Sequence, residues 1–201
     1  MSLHRTISRS LSLATMVTLM VAGFNSAALA HAGVHSSGLA DGIAHPFSGL
    51  DHMLAMVAVG LWASQLGRPA YWLLPLTFPA VMAAGALMGA NGMALPWVEV
   101  GIAGSVLVLG AVIAFALRPS LVVSAVLIAL FALAHGYSHG TELPAQGSTL
   151  AYGAGFILAT AGLHAVGFTI GVVADRTPVR FVARTAGAAI AAVGLLLLIS
   201  V

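Results

Sequence analysis

From residue 42 onward the chain alternates long apolar runs with short polar interruptions, and the runs recur at nearly constant length. Six can be marked, over residues 43–66, 70–90, 95–117, 119–141, 148–174 and 179–200. Each is close to the roughly 20 residues an α-helix needs to cross a hydrocarbon layer of about 30 Å. The interruptions are Gly67-Arg68-Pro69, Asn91-Gly92, Arg118-Pro119, Leu143-Pro144 and Thr177-Pro178, residue types that end helices. The pattern therefore predicts an all-α, polytopic membrane bundle of six transmembrane helices. Ahead of it, Arg5 and Arg9 precede an apolar run from Leu11 to Phe24, and Ala28-Leu29-Ala30 supplies the small-x-small site of a signal peptidase. Residues 1–30 are expected to be a cleaved signal peptide, so that residues 31–201 form one transmembrane domain beginning at His31.

Composition sharpens this picture. Only 6% of residues are charged and the mean hydropathy is +1.07, against about 25% charged residues in an ordinary soluble domain. The positive charge is all arginine without lysine, too sparse and dispersed for a nucleic-acid surface, and its placement bears on orientation instead. Arg68, Arg118, Arg176, Arg180 and Arg184 fall in alternate connections. Positive charge stays on the cytoplasmic side, so both ends of the mature chain are expected on the periplasmic side of a bacterial inner membrane. With no cysteine, any metal must be held by nitrogen and oxygen, with methionine sulfur as the only soft donor.

On that topology the titratable side chains gather on one side. His45, Asp51 and His52 open the first predicted span, Glu99 lies near the outer start of the third, and His135, His139 and Glu142 close the fourth. An ionisable group inside a bilayer costs at least a few kcal/mol, so such a cluster points to function. His135 and His139 are four apart and share a helix face, with Glu142 three further on. His45 and His52 are seven apart, roughly 10 Å along a regular helix, which is long for two ligands of one ion. Either the two act in sequence or the helix is interrupted near Pro46, Ser48 and Gly49. His31 and His35 are candidate ligands at the entrance, and His164, in mid-span, is a candidate pathway residue.

The chain resembles the HupE/UreJ nickel and cobalt permeases. The likeness rests on His45-Pro46-x-x-Gly49-Leu50-Asp51-His52, which fits the family's H-x5-D-H pattern, and on His135-Gly136-x-x-His139-Gly140-x-Glu142, which resembles its second, H-G-x-x-x-G-x-E element with the phenylalanine displaced to Phe131. The resemblance implies a secondary permease, not an enzyme, that takes up Ni²⁺, in some members Co²⁺, for hydrogenase, urease or cobalamin enzymes. The ion would be cargo, and no permanently bound cofactor is expected. The partners expected are the metal ion and the lipid bilayer, without nucleic acid; nothing in the sequence fixes an oligomeric state. Two alternatives stand beside this one. A metal-binding accessory or sensor protein would use the same residues without flux, and a His-box membrane metalloenzyme would need more histidines than these spans hold.

Overall fold

The structure, a computed structural model, describes residues 38–143, 148–175 and 181–201. The expected signal peptide, its cleavage site after Ala30, and His31 and His35 lie outside the described residues. Among the described residues the chain is helical, without strands: α1 (Leu39–Ala44), a 3-10 turn (His45–Phe47), α2 (Leu50–Leu66), α3 (Ala70–Ala90), α4 (Val98–Ala114), α5 (Leu121–Thr141), α6 (Thr149–Asp175) and α7 (Phe181–Ser200). The all-α membrane architecture expected from the hydropathy pattern is what the chain adopts.

Helices α3, α5, α6 and α7 are each long and apolar enough to cross a membrane. Helix α4, expected over 95–117, is an apolar helix of 17 residues. The first expected span, 43–66, is not one continuous helix. Helices α1 and α2 meet at 86°, and only the two together are long and apolar enough to count as a fifth span. The break has local causes. Pro46 sits in the first turn of the 3-10 segment, where its missing N–H is harmless. The Ser48 N–H and hydroxyl both donate to the His45 carbonyl, at 2.9 and 2.6 Å, and Gly49 is extended, with φ −110° and ψ 121°. Helix α2 then restarts with the Met53 N–H on the Gly49 carbonyl.

Helix α2 is the central element. Met56, Val59, Leu61 and Trp62 are buried against α3, α4, α6 and α7. In a membrane the apolar effect does not drive helices together, so close approach must come from small residues, and here it comes from reciprocal glycines. A Cβ on Gly136 would strike the Met82 carbonyl, and one on Gly140 the Ala86 carbonyl; Gly85 and Gly89 face the Leu133 and Tyr137 carbonyls in return. Helices α3 and α5 are thereby in backbone contact. The same device joins α2 to α6 through Gly60 and Gly167, α1 to α6 through Gly42 and Gly155, and α4 to α7 through Gly110 and Gly194. The outward faces carry exposed Trp72, Leu76, Val122, Leu150 and Ile199, an apolar surface too extensive for water and suited to lipid.

The short helix α4 leaves backbone carbonyls that need partners. Trp62 Nε1 donates to the Leu117 carbonyl at 3.2 Å, Arg184 Nε to the Ala114 carbonyl at 2.9 Å, and Gln65 Nε2 to the Ile113 carbonyl at 3.4 Å. Beside this cap lies a cavity of about 740 Å³ whose lining includes Gln65, Tyr71, Arg118, Asp175 and Arg184. It sits some 20 Å from His52, taking about 1.5 Å per residue along α2.

Candidate metal site

The break between α1 and α2 decides the site. It turns His45 back over the start of α2, so that two imidazoles seven residues apart both reach the same ring on α5. The His45 and His52 ring centroids lie 4.8 and 4.4 Å from that of His139, and His45 Nε2 is 3.0 Å from His139 Nδ1. Glu142, the residue that ends α5, brings Oε2 to 3.7 Å from His45 Nε2. His45, His139 and Glu142 each offer a ligand atom within 4.8 Å of the others, the spacing of a nitrogen-and-carboxylate site for a divalent cation. Tyr152 and Phe156 of α6 wall it, the Phe156 ring lying 4.3 Å from His139 and the Tyr152 ring 5.7 Å from His45.

Deeper in, His52 touches His135 with centroids 4.6 Å apart. Asp51 does not face the outer group. Its Oδ1 accepts the His52 backbone N–H and stands 2.7 Å from His52 Nδ1, which fixes the ring and places the lone pair on Nε2. Gly49 makes room for this: a Cβ there would stand 2.7 Å from Asp51 Oδ1 and 3.1 Å from His52 Nδ1. Buried His52 Nε2, His135 Nδ1 and His139 Nε2 have no hydrogen-bond partner among the described residues. Three bare nitrogens in one apolar region are costly unless something binds them.

A sequence model described as HupE / UreJ protein matches residues 19–197. The chain belongs to the HupE/UreJ family. It is also 45% identical over 182 residues to the protein HupE of Rhizobium leguminosarum bv. viciae, covering 90% of this chain and 95% of that one. No solved structure matches it.

Both motifs that carried the resemblance to the HupE/UreJ family thus sit at one place. The first is the helix break with its two histidines and Asp51, and the second is the C-terminal turn of α5, where Gly136 and Gly140 contact α3 while His135 and His139 face the site. Of the other residues singled out from the sequence, Glu99 is exposed in the first turn of α4 and is not part of the His45–His139–Glu142 group. His164 is buried at the level of Gly60, between the imidazole cluster and the cavity near Gln65. Its ring contacts Phe78 at 5.5 Å. Neither His164 nitrogen makes a well-formed hydrogen bond. Phe78 also touches His135, at 5.7 Å.

Sequence reasoning missed Tyr152, Phe156 and Ser105. The first two are aromatics four apart on one face of α6, a spacing visible in the sequence. Ser105, whose Oγ lies 2.8 Å from His135 Nε2, stands in the apolar run of α4 and gave no signal.

Proposed function

We propose that this protein is a secondary permease that takes up Ni²⁺, with Co²⁺ as a second cargo, from the periplasm into the cytoplasm. The observation that carries this is the folding of His45 and His52 onto His139 beside Glu142, which assembles imidazole and carboxylate donors from α2, α5 and the turn before α2. Imidazole suits nickel and cobalt, and a set without thiolate holds such an ion weakly enough to let it go. Neutral imidazoles supply lone pairs, while Asp51 and Glu142 offset the charge of the ion where the dielectric is low. With Arg68, Arg118 and Arg184 on the cytoplasmic side, the imidazole end faces the periplasm and the cavity at Gln65 and Arg184 is the release side. His164 lies on the way between them. The metal is cargo, and no resident cofactor enters the scheme.

The membrane potential suffices as a driving force. An inside-negative potential of 100 mV contributes about 2.3 kcal/mol per elementary charge, or about 4.6 kcal/mol for a divalent ion. That corresponds to more than three orders of magnitude of accumulation at about 1.4 kcal/mol per tenfold. The test is uptake of radioactive nickel by cells expressing wild type, His139→Ala or His52→Ala at matched membrane levels. Uptake is expected to fall to background in both variants; uptake equal to wild type would rule out this site. Metal binding without flux in proteoliposomes would make the protein an accessory or sensor.

A further inference from the structure

His135 is wholly buried, one turn before His139 on α5, and the Ser105 hydroxyl that meets it from α4 is wholly buried too. Ser105 Oγ lies 2.8 Å from His135 Nε2 and 2.6 Å from the Ile102 carbonyl oxygen. A hydroxyl has one proton, and a carbonyl oxygen can only accept. The proton of Ser105 therefore points to Ile102, and the oxygen meets His135 with a lone pair. His135 must then donate from Nε2, which places the imidazole lone pair on Nδ1. That atom is buried and has no partner among the described residues. His52, beside it, is set in the same manner by Asp51 and leaves Nε2 bare. His139 completes the set, since its Nδ1 faces His45 while its Nε2 is buried and unpartnered. Metal-bound histidines are typically held through the second ring nitrogen in this way.

We propose that Ser105 is a positioning residue for a second cation position, formed by His52, His135 and His139 on the side of the cluster away from the exposed Glu142. A divalent first-row cation passes from the outer group to this inner one across the two nitrogens of His139; a neutral imidazole has one lone pair, so with both positions filled His139 gives up its ring proton to water and bridges the two ions. The inner rings touch edge to edge, the His52 centroid lying 4.6 Å from that of His135 and 4.4 Å from that of His139. The inference rests on the permease reading above, and it adds an order of events and a residue on α4 that neither family motif contains.

The experiment uses the full-length protein in lipid nanodiscs, as wild type, Ser105→Ala, Ser105→Thr and Glu142→Gln. Titration with NiCl₂ counts the ions bound, and a long-range ¹H–¹⁵N spectrum of histidine-labelled protein reports which ring nitrogen of His135 carries the proton. Wild type is expected to bind two Ni²⁺ per chain, with His135 protonated at Nε2. Ser105→Ala weakens the inner position by roughly 10- to 100-fold, spares the outer one and releases the tautomer. Ser105→Thr restores both, whereas Glu142→Gln loses the outer position and keeps the inner. A single ion per wild-type chain, superimposable wild-type and Ser105→Ala isotherms, or His135 protonated at Nδ1 in wild type would overturn the inference and leave the permease reading standing. No binding by wild type would remove both.

Discussion

Asp51 and Glu142 are both carboxylates beside imidazoles, yet they act differently. Asp51 is occupied by the His52 ring and backbone N–H and sets which nitrogen of His52 is free, while Glu142, with 58% of its side chain exposed, stays open to solvent. Asp51→Asn preserves shape but lets the amide N–H face the ring, so nickel affinity is expected to fall roughly 10- to 100-fold with little change in thermal stability, checked by calorimetric titration and a melting curve on the same sample. Acidification opposes metal binding, because a ligand nitrogen must be deprotonated to bind. A protonated imidazole has lost its lone pair and gained a positive charge, so uptake is expected to fall as external pH is lowered and to recover when it is raised, measured at constant membrane potential. The titratable residues that the fold brings together were legible in the sequence because an ionisable residue in an apolar run stands out. Ser105 was not, because a serine costs little in a membrane helix and its role depends on a partner thirty positions away.

The helix break is the element on which the site depends. Pro46, Ser48 and Gly49 marked a possible interruption in the sequence, but not the 86° turn or its direction, because those follow from the contact of α1 with α6 through Gly42 and Gly155. Gly49→Ala is compatible with the backbone there, so it is expected to fold and insert normally. The new methyl group displaces Asp51 from His52, and nickel affinity drops with no loss of stability. Glycines at the helix seams behave in the opposite way. Gly140→Leu pushes a side chain into the Ala86 backbone, and overpacking of that kind costs about 1–3 kcal/mol or more, to be seen as an earlier melt in detergent. Gly162→Ala, which meets open space, is the control and is expected to melt no earlier than wild type.

At the scale of the molecule, the all-helical membrane fold and the position of nearly every helix followed from run length alone, because lipid leaves a backbone few choices. What run length could not supply was which helices touch, since α3 with α5 and α4 with α7 are joined by glycines that look alike in sequence. On the proposed permease reading, one consequence concerns the charge moved. If the potential drives the ion, nickel flux into proteoliposomes is expected to rise steeply when valinomycin imposes an inside-negative potential and to stop when the potential is collapsed; flux indifferent to potential would require a coupling ion. Another consequence follows from the spacing on α5, where His135 and His139 are each followed by a glycine pressed onto α3. The histidines of that helix are indexed to a neighbouring main chain, so this wall of the site can neither slide nor accept bulk. On the proposed permease reading, retuning toward a different metal would therefore have to proceed from the opposite walls, through Tyr152, Phe156 and the hinge that carries His45.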